Sequence, residues 1–218
     1  MQDLLDRMAA EAGRGDMGID TPVYAEAGLP PTTPVLLGSG TLDSPIGFFG
    51  RDPGRHEVLH QEPFIGKGGQ LIRSGLHRAA RGGDCPDLAA SVSVGRGVFW
   101  GNTVPYKPTG NKAWSVKVKR RFVPMVTELL VDRWSGHDLL TLGNVAFDWF
   151  RLADKRLAPR LRAHWGRADR YASSVEITLA GKTIRLHPLP HPSPLNATWY
   201  PRFPGLLVAR LASLGWRG

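Results

Sequence analysis

The sequence predicts an α/β protein with three layers, in which helices flank both faces of a central, mostly parallel, twisted sheet. Short apolar runs alternate along the chain with longer segments of helical periodicity, and this alternation favours a parallel sheet. The 218 residues suffice for one well-buried core and are few for two full domains. We therefore expect a single domain over residues 1–218.

The strands are expected where short apolar runs are bounded by turn residues. Val175–Leu179 and Thr183–Leu186 are separated by Ala-Gly-Lys and predict a hairpin. The other predicted strands are Val35–Leu37, Ile46–Gly50, Val98–Trp100 and Asp138–Leu142. Ligands of such sheets bind beyond the carboxyl ends of the strands, so the residues after each strand are the first candidates for a site.

The helices are expected in the longer segments between these strands. Residues 1–34 predict a short charged amphipathic helix and a lead-in loop, because residues 14–34 are rich in Gly, Pro and Thr. The other predicted helices are Gln70–Arg81, Ala113–Trp134, Asn144–Leu152, which begins with an N-cap residue, and Arg202–Leu214.

Composition limits the class of protein. Apolar residues make up 42% of the chain, which is ordinary for a globular protein and too high for a disordered one. The single cysteine, Cys85, excludes an internal disulfide and any all-cysteine zinc or iron–sulfur site within one chain, and it fits a reducing, cytoplasmic location. We expect no signal peptide, because the N-terminus has no positively charged region followed by an apolar core. We also expect no membrane partner, because no apolar run approaches the roughly 18 residues of a membrane span.

The net charge of +9, in which arginine dominates over lysine, indicates a polyanionic partner. Arginine side chains suit phosphate groups, and nucleic acid is the expected polyanion. The alternative is a solvated surface that is basic without a binding role.

Candidate site residues follow three of the predicted strands. Asp52 lies in an Asp-Pro-Gly turn after Ile46–Gly50, where a carboxylate serves as a base or a charge stabiliser or only caps the turn. Phe64 stands beside Gly-rich backbone and either stacks on a planar ligand or belongs to the core. Asn102 either reads the edge of a nucleobase with its amide or ties two loops together.

The segment HPLPHPSPLN, residues 187–196, combines four prolines with two histidines. Proline restricts the backbone, so this loop holds His191, Ser193 and Leu195 in place before any ligand binds. His191 is a candidate functional residue, with a turn histidine bound to a backbone carbonyl as the alternative. His187 is expected to be structural.

Five motifs, taken in order, resemble the uracil-DNA glycosylase superfamily across about residues 35–215. They are G-R-D-P-G (50–54), E-P-F-I-G-K-G-G-Q-L (62–71), G-N-T-V (101–104), L-G-N-V-A-F (142–147) and H-P-S-P-L-N (191–196). The second and fourth resemble the iron–sulfur branch of the superfamily, whose four cluster cysteines are absent here. The first and last resemble the metal-free, uracil-specific branch, so the resemblance implies an enzyme without a cofactor.

The chain also departs from these branches. Gly54 stands where the uracil-specific enzymes carry a tyrosine that helps to exclude thymine. The run VKVKRRF (116–122) resembles the basic loop of the covalent-trapping branch, but Phe122 and Val123 stand where that loop has its histidine. We therefore do not expect covalent trapping.

The resemblance implies a role for each matching residue. Asp52 positions or polarises the attacking water and stabilises the sugar cation, and His191 donates a hydrogen bond to O2 of the departing uracil. The implied substrate-binding residues are Gly50, Arg51, Pro53, Gly54, Phe64 as the stacking ring, and Asn102 on the pyrimidine edge. The implied DNA contacts are Ser193 on a phosphate, Pro194, Leu195 as the wedge that fills the space of the base, Asn196, Lys67, Arg120 and Arg121.

The sequence therefore predicts a monomeric, cofactor-free glycosylase that removes uracil from single- or double-stranded DNA in base-excision repair. One alternative is a glycosylase for deaminated purines or mismatched thymine, and Gly54 motivates it. The others are a uracil-DNA-binding protein without turnover and a generic basic nucleic-acid binder, which leaves the five motifs unexplained.

Overall fold

The computed structural model describes residues 1–218 apart from the side chain of residue 111. Within the described residues the sheet has five strands, in the order β2–β1–β3–β5–β4. They are β1 (Ile46–Gly50), β2 (Phe99–Asn102), β3 (Asp138–Leu142), β4 (Val175–Leu179) and β5 (Lys182–Leu189). Only β4 runs antiparallel to its neighbour, so the predicted mostly parallel α/β/α fold is confirmed.

Helices fill the connections between the strands. They are α1 (Gln2–Ala12), α2 (Thr21–Glu26), α3 (Arg55–His60), α4 (Lys67–Arg81), α5 (Leu88–Gly95), α6 (Val116–Glu128), α7 (Asn144–Asp148), α8 (Phe150–Ala153), α9 (Ala158–Trp165) and α10 (Phe203–Ser213). In the described part of the chain, no helix combines the length and apolar character needed to cross a membrane.

Each face of the sheet carries its own apolar core. On β1, Phe49 packs into a core with α1, α6, α7, α8 and α9, whereas Phe48 packs into a second core with α4, α5 and α10. All five residues of β1 are buried, as expected for a parallel strand covered on both faces. The two cores hold the carboxyl ends of β1, β3 and β5 in fixed positions next to one another.

Most predicted elements are confirmed, and several boundaries are corrected. Val35–Leu37 is not a strand: Val35 is buried and donates its backbone N–H to Pro105, but Leu37 already adopts a left-handed turn conformation with φ 61°. The lead-in loop contains the helix α2, which begins with proline in its first turn. The predicted helix 113–134 is α6 followed by a π-helical turn, Leu129–Arg133.

Two further corrections concern helix starts and short helices. Asn144 is the first residue of α7 rather than its cap, because Gly143 occupies the cap position with φ 83°. The helices α3, α5 and α9 were not predicted, since runs of 6 to 8 residues are too short for helical periodicity to stand out.

The N-terminal segment is part of the packed structure. Leu4 of α1 is fully buried in the core that contains α6. Asp20 forms a 2.6 Å ion pair with Lys107, and Ile19 pairs with Pro108 in an isolated β-bridge. These contacts fix the chain that follows β2.

Candidate active site

A cavity of about 740 Å³ opens at the carboxyl ends of the strands. The loop after β1, the start of α4 and the loop after β5 form its walls. It brings together most of the residues predicted from the sequence, namely Gly50, Arg51, Asp52, Pro53, Gly54, Phe64, Lys67, His191, Ser193, Pro194, Leu195 and Asn196. Three segments far apart in the sequence therefore meet at one site.

Asp52 is one of two carboxylates that line this cavity, and Glu57 is the other. The side chain of Asp52 is 2% exposed, and its Oδ2 accepts a 2.9 Å hydrogen bond from Nε of Arg51. Its Oδ1 is buried without a hydrogen-bond partner among the described residues. Burial raises the pKa of Asp52 to about 6, and the positive charges of Arg51 and Lys119 act against this rise. The group is thus ionised at neutral pH.

His191 lies over Gly143, the residue that links β3 to α7. A Cβ atom on Gly143 would lie 3.0 Å from Cβ of His191, so only glycine permits this approach. The imidazole remains in contact with solvent through the open cavity. The cavity walls nevertheless desolvate the ring and lower the pKa of His191, and the charge of Arg51 lowers it further. A neutral imidazole at pH 7 offers one N–H donor.

Phe64 lines the same cavity and has a strained backbone conformation, with φ 54°. Its ring packs on Gly50, where a Cβ atom would come within 2.6 Å of the ring, and on Trp100 at a centroid distance of 5.2 Å. A Cβ atom on Gly69 would lie 1.9 Å from the carbonyl oxygen of Phe64. Gly69 therefore lets the start of α4 pack against the Phe64 backbone, and Gly68 lets it pack against the backbone of Pro192, where a Cβ atom would lie 2.3 Å from the carbonyl oxygen.

Two charged residues that hold these loops were not predicted. Glu57 accepts backbone hydrogen bonds from Gly54 at 2.9 Å and from Gly66 at 2.7 Å, and so joins two walls of the cavity. Its position three residues after Gly54, at a helix start, has the spacing of a capping box and could have identified it.

Arg73 is the second of these residues and is fully buried. It donates hydrogen bonds to the carbonyl oxygens of Pro63 and Phe64 at 2.6 and 2.9 Å. It also forms a 2.6 Å ion pair with Glu62. These bonds hold Phe64 in its left-handed conformation. No sequence pattern predicts them, because the contacts depend on the folded loop.

The Pro-rich loop is braced by its own backbone. Ser193 N–H donates to the carbonyl of His191 at 2.9 Å, and Asn196 N–H donates to the carbonyl of Ser193 at 2.8 Å. The side chain of Leu195 projects from this braced loop and is 96% exposed. His187, by contrast, is buried in β5 and hydrogen-bonded through Nε2 to Asp138 at 2.8 Å.

Three predicted site residues lie outside the cavity lining. Asn102 ends β2 beside Gly50 and is 4% exposed. Arg121 forms ion pairs with Glu11 and Asp16 on the N-terminal segment. Arg120 is exposed on α6 and lines a different depression. Their roles in base and DNA recognition remain predictions.

The described residues contain no group of three or more His, Cys, Asp and Glu side chains arranged to hold a metal ion. Cys85 is a free, partly buried thiol. The cavity lining offers the carboxylate of Asp52, the imidazole of His191 and the aromatic ring of Phe64.

The fold and the site define an α/β protein in which a carboxylate and an imidazole line one cavity at the carboxyl ends of the strands. The model of the uracil DNA glycosylase superfamily matches residues 37–214, and the chain belongs to this superfamily. Membership supports a DNA-binding glycosylase that acts in base-excision repair. No curated protein matches the chain.

Proposed function

We propose that this protein is a uracil-DNA glycosylase that hydrolyses the N-glycosidic bond and leaves an abasic site. One observation carries the proposal: a single cavity holds the buried carboxylate of Asp52, the ring of Phe64 and the imidazole of His191. Cleavage of the C–N bond develops positive charge on the sugar and negative charge on the base, and the two polar groups match these charges.

Asp52 acts on the sugar side. Its ionised carboxylate stabilises the oxocarbenium-like sugar through space. The carboxylate accepts a hydrogen bond from the attacking water and then its proton. The water oxygen forms the new bond to the anomeric carbon, and the bond electrons leave with the base. The hydrogen bond from Arg51 to Oδ2 fixes the orientation of the carboxylate.

His191 acts on the base side. Because burial and Arg51 keep its imidazole neutral, it donates a hydrogen bond to O2 of uracil, where negative charge accumulates as the bond breaks. Phe64 supplies an aromatic face for the extruded base. Base–aromatic stacking contributes about 1–3 kcal/mol per base.

Leu195 is suited to act as a wedge during base flipping. Extruding a base from a duplex costs a few kcal/mol, and an apolar side chain inserted into the stack offsets part of this cost. The exposure of Leu195 at the tip of a braced loop gives it access to the duplex without rearrangement of the site.

Leu195→Ala is expected to slow uracil release from duplex DNA about tenfold, on the order of 1.4 kcal/mol, and to change release from single-stranded DNA little. Extruding an unpaired base from single-stranded DNA costs less free energy than extruding a paired base from a duplex. Single-turnover assays on both substrates measure the difference. Leu88→Ala, which removes another exposed leucine, is the control, and an equal loss on both substrates would rule out the wedge.

Gly143→Ala is expected to lower the rate of uracil release at least tenfold, on the order of 1.4 kcal/mol, while the protein stays folded. The new methyl group meets His191 at 3.0 Å, and the backbone has φ 83°, so the imidazole must move. Gly205→Ala, on α10 with open space around it, is the control. Full activity of Gly143→Ala would show that the position of His191 is not critical.

Gly54 supports a second candidate, a glycosylase of broader base specificity. Gly54 lines the cavity, so the space that a tyrosine would fill at this position stays open. A side chain at this position would also meet the Glu57 carboxylate at 2.7 Å, which gives a structural reason for glycine there.

The deciding experiment uses labelled single- and double-stranded oligonucleotides that carry one uracil, one mismatched thymine or one hypoxanthine. Alkali then breaks the strand at abasic sites. Product from uracil alone supports the proposed function, and product from several bases supports the broader enzyme. Intact strands together with tight, uracil-specific binding would refute both and identify a binding protein without turnover.

A further inference from the structure

A second depression, separate from the catalytic cavity, lies between α6, α7, α8 and α9. It has a volume of about 570 Å³. A neighbouring depression of about 410 Å³ shares Arg151, Leu152 and Ala158 with it. The two depressions are adjacent, and we call them together the basic groove.

The charge of the basic groove is strongly one-sided. Five cationic side chains and one acidic side chain line the groove. The cations are Lys119, Arg120, Arg151, Lys155 and Arg162, and the acid is Asp148. Asp148 pairs with Arg151, whereas Arg120, Lys155 and Arg162, all exposed, form no ion pair with an acid among the described residues. A surface of this kind attracts a polyanion.

The floor of the groove is apolar and largely closed. Phe147 and Leu161 line it but are each only 1% exposed. The rim carries exposed Val116 and partly exposed Trp165 beside the exposed guanidinium and ammonium groups. These cationic groups suit phosphate oxygens.

The basic groove begins close to the catalytic cavity. Asn144 at its edge directly follows Gly143, the residue beneath His191. Lys119, in its wall, interacts electrostatically with Asp52 on one side and with Asp148 on the other. A DNA strand with its target nucleotide in the catalytic cavity thus has the basic groove within reach of the neighbouring phosphates.

We propose that the basic groove binds the phosphodiester backbone of the target strand, next to the extruded nucleotide. This inference rests on the proposed function for the position of the target nucleotide. The assignment includes Arg120, one of the DNA contacts predicted from the sequence, and adds Arg151 and Lys155, which belong to none of the five motifs. Arg121 is not part of the groove, because Glu11 and Asp16 hold its guanidinium.

The test is the salt dependence of DNA binding by the double variant Arg151→Ala/Lys155→Ala. Fluorescence anisotropy measures the affinity for an unmodified single strand of about 20 nucleotides, which exceeds the usual site size, over a series of salt concentrations. Loss of two phosphate contacts lowers the slope of log affinity against log salt by about 1.4. The double variant Arg151→Lys/Lys155→Arg retains the charges and is expected to restore the slope.

Arg160→Ala/Arg167→Ala is the matched control, since both arginines are exposed and neither lines the groove. An alanine double variant that binds with the slope of this control overturns the proposal, as does a wild-type protein that does not bind the strand. The assay measures binding without turnover. Wild-type binding with a steep slope but no base release would therefore refute the proposed function and leave the basic groove supported by the variants.

Discussion

Asp52→Asn is expected to lower the single-turnover rate of uracil release by about 10²–10³, the usual effect of removing one group that stabilises developing charge. The asparagine keeps the shape of the side chain but has neither the negative charge for the sugar nor the basicity for the water. Asp43→Asn, which neutralises an exposed aspartate, provides the control. Wild-type rates in Asp52→Asn would remove this residue from the mechanism.

The pH dependence of the wild-type enzyme provides an independent check on Asp52. Because its pKa is raised to about 6, the carboxylate is ionised above this pH and protonated below it. The rate of base release is therefore expected to rise with pH through about 6 and then level off. The residual activity of Asp52→Asn is expected to lack this step.

The raised pKa of Asp52 also predicts how the stability of the protein depends on pH. The pKa of Asp52 is higher in the folded protein, about 6, than its ordinary value of 3.8, so the folded state binds the proton more tightly. The resulting stabilisation is complete below pH 3.8 and is lost as pH rises through about 6. A difference of about two between the pKa values of the folded and unfolded states corresponds to about 3 kcal/mol in the free energy of unfolding. Denaturant unfolding of wild type and Asp52→Asn between these pH values measures this difference.

His191→Ala is expected to lower the rate of uracil release by a similar factor, about 10²–10³, because one donor to the developing anion is lost. The step near pH 6 is expected to remain, since it belongs to Asp52. The combination of a lower rate with an unchanged pH profile separates the two roles.

His60→Ala is the control for His191→Ala, because His60 is exposed on α3 and does not line the cavity. The substrate affinity of both variants is expected to stay near that of wild type. A His191→Ala protein that loses affinity for uracil DNA but keeps its maximal rate would reassign His191 to binding.

The framework of the fold could be predicted because its strands carry strong local signals. Ile46–Gly50 and Asp138–Leu142 are short apolar runs that match β1 and β3 residue for residue. The run Val35–Leu37 carries a similar signal, yet it is a loop, because burial alone does not provide a neighbouring strand. Pairing depends on distant residues, which a local pattern does not contain.

The site could be predicted to the extent that it follows strand ends. Asp52 and His191 come after β1 and β5, and parallel strands bring these ends to one edge of the sheet. The supporting residues Glu57, Arg73 and Lys119 act through contacts between separate loops and helices, and those contacts exist only in the folded chain. The sequence thus identified the groups suited to the chemistry better than those that hold them in position.

The basic groove also has a kinetic consequence for an enzyme that leaves the DNA backbone intact. Hydrolysis removes the base but none of the phosphates, so the proposed contacts of Arg120, Arg151 and Lys155 are expected to be as strong with product as with substrate. At low ionic strength, dissociation of the abasic product becomes the slowest step of the cycle, and multiple-turnover rates fall below the rate of bond cleavage. Moderate salt relieves this product inhibition, whereas high salt limits encounter with DNA, so turnover passes through a maximum as salt increases.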